Sequence, residues 1–151
     1  MESTMAAAPL VAVVAGALAV LFLEAFLKRK DSEVTAWAAV AALAAAGFFT
    51  VRSWNRGLAC FGGRLSLDPL ALVLTALFIL AGMAVVLMGL KYAVRRDMNL
   101  GQFCGLLLLA VAGAMIMVST ANWLIVFLGL EVLSLASYAL TGLKRNDAAS
   151  S

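Results

Sequence analysis

The stretch that decides the reading is Asn122-Trp123-Leu124-Ile125-Val126-Phe127-Leu128-Gly129-Leu130-Glu131-Val132-Leu133-Ser134-Leu135-Ala136-Ser137-Tyr138-Ala139-Leu140-Thr141-Gly142. It is long enough to cross the roughly 30 Å hydrocarbon layer as one helix of about 20 residues, and a carboxylate, Glu131, stands near its middle. At 100° per residue, Leu124, Phe127, Glu131, Ser134, Tyr138 and Thr141 fall on one narrow face, because they are spaced three or four apart. Leu128, Leu130, Val132, Leu133 and Leu135 cover most of the remaining surface with aliphatic side chains. The helix therefore carries a polar seam that is expected to face protein or water. Insertion scales place an acid at a helix centre about 2.5 to 3.5 kcal/mol uphill, and such residues mark ion or proton pathways. The plainer reading is a neutral Glu that holds two helices together by a hydrogen bond.

Composition agrees with a membrane setting. The chain is 65% hydrophobic and 13% charged with a mean hydropathy of +1.06, against about 45 to 50% apolar and about 25% charged in soluble domains. It holds two prolines and no histidine, so a histidine metal site or proton relay is excluded and acids, Lys and Tyr remain as relay groups. The formal charge of +3 comes from residues in loops between apolar runs, as the positive-inside rule expects. No basic helix or aromatic-interleaved patch points to nucleic acid. Cys60 in a loop and Cys104 near the start of a span have no second Cys or His at ligand spacing. Both read as small packing residues, and iron–sulfur ligation by this chain is excluded.

Working back from the deciding stretch, the runs predict an all-α membrane protein with spans over about 5–27, 34–51, 69–90, 100–118 and 122–142, forming a single transmembrane region 1–151. The first run is too long for a signal h-region and no Lys or Arg precedes it, so it reads as a retained span. Glu24 near its end is expected to pair with Lys28 one turn on and to snorkel to the interface. Lys28 to Glu33 reads as a tight charged loop, and Trp37 and Trp54 as interfacial aromatics around the second span. The long loop from Arg52 to Asp68 contains Cys60-Phe61-Gly62-Gly63-Arg64, a hairpin signal in its paired glycines, with Phe61 placed to tuck against the helices. Asp68-Pro69 reads as an N-cap followed by Pro at the first helical position. Arg95 to Asn99 reads as a loop, and Gly101, Gly105, Gly113 and Ala114 give the fourth span small surfaces for close packing. Ser119 to Asn122 is so short a turn that spans four and five must pack side by side, so the fourth span is expected to cover part of the Glu131 face. Lys and Arg divide 3 on the N-terminal side and 8 on the other, which places the N-terminus in the periplasm and the C-terminal tail in the cytoplasm.

The run Gly129 to Leu140, with its pattern Gly-Leu-Glu-x-x-Ser-Leu-x-x-Tyr, closely resembles the Glu-bearing helix of the subunit N family of NADH:quinone oxidoreductase, the respiratory complex I of bacteria. This family belongs to the antiporter-like membrane subunits. The resemblance also covers Asp68 with the span after it, Lys91-Tyr92, Gly113-Ala114-Met115 and Ala121 to Arg145; Trp123 departs from it, since an acid often follows the Asn in the family.

The resemblance implies a proton-translocating translocase subunit in the bacterial inner membrane, coupling electron transfer from NADH to quinone to proton pumping. Glu131 would be the translocating residue, supported by Ser134, Tyr138 and Thr141. Its implied partner is a Lys on a helix beyond this chain. Other complex I membrane subunits and lipid are the implied partners. NADH, FMN, the iron–sulfur clusters and quinone would act elsewhere in the complex, and no Gly-rich nucleotide loop stands in this chain. Family members have about fourteen helices built on two inverted repeats, so the resemblance implies an incomplete antiporter-like fold, truncated at Asp147 to Ser151, where the next helix would begin. A component of a multisubunit cation/proton antiporter and a non-transporting structural fragment remain as alternatives.

Overall fold

Lipid offers no partner for backbone N–H and C=O groups, so a spanning segment closes its hydrogen bonds within itself as a helix. A computed structural model of the chain describes residues 2–26, 32–54, 58–60, 62–96 and 99–143. Its elements in order are α1 (Glu2–Phe26), α2 (Ser32–Arg52), β1 (Leu58–Cys60), β2 (Leu65–Leu67), α3 (Pro69–Arg96), α4 (Leu100–Val118) and α5 (Trp123–Leu143). Each helix contains a stretch long and apolar enough to cross a membrane: Ala6–Phe26, Glu33–Arg52, Pro69–Leu90, Leu100–Val118 and Trp123–Leu143. The chain is a multi-pass, all-α membrane protein, and its described residues include a small hairpin.

Helix α4 is the hub. It packs against α1, α2, α3 and α5, while α1 also pairs with α2, and α2 with α3. The core is a set of stripes at helical spacing. Ala36, Ala39, Leu43 and Ala46 of α2 meet Val13, Ala17 and Val20 of α1, and α4 supplies Leu100, Cys104, Leu108, Val111 and Met115. Lipid gives helices no hydrophobic reason to associate, so small residues that let backbones approach carry much of the packing. Gly16 shows this, since a Cβ there would strike the Cβ of Ala42 across the α1–α2 contact. Cys104 is fully buried, as a small packing residue should be.

The hairpin forms where the paired glycines indicated. Strands β1 and β2 run antiparallel with Leu58 opposite Leu67, Ala59 opposite Ser66 and Cys60 opposite Leu65. Gly62 and Gly63 take φ of 67° and 82°, a left-handed conformation that glycine adopts without the Cβ penalty. Asp68 caps α3 as expected. The N–H of Ala71 donates to its Oδ1 at 2.9 Å, and Pro69 occupies the first helical position, where no N–H is needed.

Three expected loop boundaries move. Ser32 and Glu33 belong to the first turn of α2 rather than to the charged loop, with Glu33 where an acid suits the positive end of the helix. Arg52 closes α2, and α3 runs on past Leu90 to include Arg95 and Arg96. Lys and Arg are good helix formers, so a helix continues through them once it has left the hydrocarbon. Trp37 and Trp54 are both exposed. Lys28 to Lys30, Phe61 and the tail from Lys144 lie outside the described residues.

Candidate functional site

The seam around Glu131 is set by how α5 is launched and which face it spends on packing. The turn after α4 is fixed at several points. The N–H of Ser66 in β2 donates to the carbonyl of Ser119 at 2.7 Å, and the Thr120 hydroxyl donates to the carbonyl of Arg64 at 2.6 Å. Asn122 then caps α5, its Oδ1 accepting from the N–H of Leu124 at 2.9 Å while its carbonyl accepts from Ile125 and Val126. The hairpin thus holds the α4–α5 turn, and the turn aims α5.

Once aimed, α5 meets α4 through its smallest residues. A Cβ at Gly113 would lie 2.8 Å from both the carbonyl oxygen of Gly129 and the nitrogen of Leu133. A Cβ at Gly129 would lie 2.7 Å from Cγ of Met117 and 2.9 Å from the carbonyl oxygen of Gly113. Two backbones touch there, and only glycine permits it at either position. Gly129 and Ala136, seven residues apart, are the buried residues of α5.

Glu131 follows Gly129 by two residues, which is about 200° around the helix. It therefore looks away from α4, and it is exposed. The expectation that the fourth span partly covers this face is overturned. Close contact with α4 is made on the Gly129–Ala136 side, and taking that side turns the seam outward. Along the seam Leu124, Phe127 and Tyr138 are 71%, 59% and 72% exposed, Thr141 is exposed and Ser134 half-buried. The Thr141 hydroxyl donates to the carbonyl of Tyr138 at 2.8 Å, so it is already spent on the backbone. That leaves the Glu131 carboxylate and the Tyr138 phenol as the titratable groups on an open strip, with Ser134 between them. No Lys or Arg lies within the interior of any of the five spans to pair with Glu131.

Glu24 is the other acid set inside a span, Glu33 standing only at the first residue of its own, and its surroundings were missed in the sequence. Lys28 lies outside the described residues. The Glu24 carboxyl rests on Gly101 in the first turn of α4, where a Cβ would meet its Cδ at 2.6 Å. The missing side chain at Gly101 makes room for it, beside a helix N-terminus whose partial positive charge suits an acid. Among the described residues, no three His, Cys, Asp or Glu come together to hold a metal ion.

The chain is 34% identical over 136 residues to NADH-quinone oxidoreductase subunit N of Chloroflexus aggregans, covering 89% of this chain and 28% of that protein. To the subunit N of Methylovorus glucosotrophus it is 34% identical over 144 residues, covering 94% of this chain and 30% of that protein. The chain is related to subunit N of NADH-quinone oxidoreductase. A third subunit N, from Trichlorobacter lovleyi, is 29% identical over 130 residues. These matches to subunit N take in most of the chain, so the likeness is not confined to the Glu131 helix. The chain spans about three tenths of the length of the subunit N relatives it matches. No protein-family model matches it.

Proposed function

We propose that these five helices form part of a proton-translocating membrane subunit of NADH-quinone oxidoreductase in the bacterial inner membrane, with Glu131 as a proton-carrying residue. The observation that carries this reading is the placement of Glu131 on the face of α5 opposite the Gly113–Gly129 contact. An acid near the middle of a spanning helix is costly on a lipid-facing surface. Its own bundle leaves it open, so the group that offsets the cost comes from elsewhere in the subunit or complex. A basic side chain is the partner that fits. Desolvation favours the neutral form of a carboxyl and a nearby ammonium favours the charged form, so making and breaking such a pair switches the proton on and off. Each charge moved against the membrane potential costs about 2.3 kcal/mol per 100 mV, which the redox chemistry elsewhere in the complex supplies. The antiporter alternative would use the same residue, and the similarity to subunit N favours the redox-coupled complex.

Replacing Glu131 in a full-length subunit N carrying this sequence tests the reading. Glu131→Ala is expected to bring proton uptake and NADH:quinone activity in membrane vesicles close to background, and Glu131→Asp to keep part of both. An Ala variant with normal values for both overturns the assignment. The same reading places the N-terminus in the periplasm, because Lys and Arg divide 8 to 3 in favour of the other side. Cysteines at Ser32 and Ser66 are then labelled from opposite faces of the membrane, Ser66 from outside. Labelling of both from one side contradicts the five-span topology.

A further inference from the structure

We infer that the contact between the N-terminal turns of α1, α3 and the end of α4 is built around a single bound water molecule. The first observation is an orphan. The Thr75 side chain of α3 is 1% exposed and its Oγ1 has no hydrogen-bond partner. The usual fate of a hydroxyl in an apolar helix is to bond the carbonyl one turn back, and that is where Thr50, Ser53 and Ser119 direct theirs, to Ala46, Phe49 and Met115. Thr75 does not. A buried hydroxyl without a partner loses its hydration with nothing in return, so an orphan at this depth needs an occupant.

The second observation is the space beside it. Thr75 lines a cavity whose other walls are Pro9 and its neighbours in α1, Leu65 and Leu67 of β2, and Met115 and Ser119 of α4. The cavity leaves about 20 Å³ for the centre of a water-sized sphere, and one water needs roughly 10 to 15 Å³ on that measure. It has room for one water.

The third observation is the supply of further partners. Pro9 lies inside α1 and has no N–H, so the carbonyl of Met5 one turn earlier loses the donor that any other residue at position 9 would give it. Ordered water is one of the ways in which a spanning helix satisfies a carbonyl freed by proline. Ser119 gives its hydroxyl proton to the carbonyl of Met115 at 2.7 Å, so only acceptor capacity remains on its Oγ. A water accepting from Thr75 and donating to the Met5 carbonyl and to Ser119 Oγ has three bonds, the usual number for a buried water. It ties three helices at the level of the hairpin.

A density map of the full chain in lipid nanodiscs, at a resolution that shows ordered water, tests the inference directly. One peak within hydrogen-bond distance of Thr75 Oγ1 is expected, and Thr75→Val, which keeps the shape and removes the hydroxyl, is expected to lose it. A dry cavity with the Thr75 hydroxyl turned back onto the carbonyl of Ala71 overturns it. Thermal unfolding gives a second reading. Thr75→Val is expected to lower the midpoint, and to lower it by less than half as much in a Pro9→Ala background, where position 9 regains its own donor. A Thr75→Val variant that melts higher, or that has the same effect in both backgrounds, also overturns the inference. The wild-type map decides alone if a variant fails to fold.

Discussion

Helix α4 has a mean hydropathy of 2.1 over its span and α5 has 1.9, yet half of α4 is buried inside the bundle and only 11% of α5. Hydropathy chose the bilayer for both. It did not choose their neighbours. In α4, Gly101, Gly105, Ala110, Ala112, Gly113 and Ala114 are buried on several sides of the helix, so partners approach from several directions. In α5 the buried small residues, Gly129 and Ala136, lie on one side only. One partner can approach, and the opposite side is left for chemistry. In a membrane chain the placement of small residues, more than apolar content, decides which helix becomes a hub and which presents an open face.

The largest expected effect separates the two helices by deletion of bulk. Leu108 of α4 is fully buried and Leu128 of α5 is 55% exposed. Leu108→Ala removes van der Waals contacts on several sides and is expected to cost about 2 to 5 kcal/mol of stability. Leu128→Ala in the same chain is expected to stay within about 0.5 kcal/mol. Reversible unfolding in mixed micelles measures both, and equal costs would erase the distinction between hub and outlying helix.

The next effect is aimed at the single seam that joins them. Gly129→Ala pushes a methyl into the backbone of α4, and overpacking of this kind costs about 1 to 3 kcal/mol. It is expected to lift α5 away and leave the α1–α4 cluster standing. The chain contains its own control, because Cys104 is fully buried in the cluster. With Cys60 replaced by Ser, a cysteine introduced at Ala136 should react faster with a maleimide in the Gly129→Ala variant while Cys104 stays protected. Exposure of Cys104 at the same rate would show that α5 and the cluster come apart together.

The spans were legible because about 20 apolar residues have few alternatives to a membrane helix. Asp68-Pro69 and Gly62-Gly63 were legible for a related reason, since each is a local device whose partners lie within a few residues. What could not be read was any choice made across space. Glu131 and Gly129 are two residues apart and give opposite instructions, one asking for a covered polar face and the other offering close contact. Only the geometry shows that the glycine takes α4 and the acid is turned out. The Glu24 carboxyl lies against Gly101, more than seventy residues away in the chain, a neighbour that no local pattern announces. Thr75 looks like any helical threonine until the cavity beside it is seen.

The smallest effect concerns how each part is started. Asp68 caps α3, which belongs to the cluster, and Asn122 caps α5, which does not, each accepting from a backbone N–H at 2.9 Å. Loss of such a cap costs about 0.5 to 2 kcal/mol, but its consequence depends on what the helix holds up. Asp68→Ala is expected to lower the thermal midpoint of the whole chain, because α3 packs against both α2 and α4. After Asn122→Ala the carbonyl of residue 122 still accepts from Ile125 and Val126, and local opening of one end of α5 need not spread. Amide hydrogen exchange at Leu124 should quicken while exchange at Ala71 and the midpoint hardly move. If Asn122→Ala instead lowers the midpoint as far as Asp68→Ala does, α5 is part of the same cooperative unit as the cluster, and its open face is held more firmly than its one-sided contact with α4 implies.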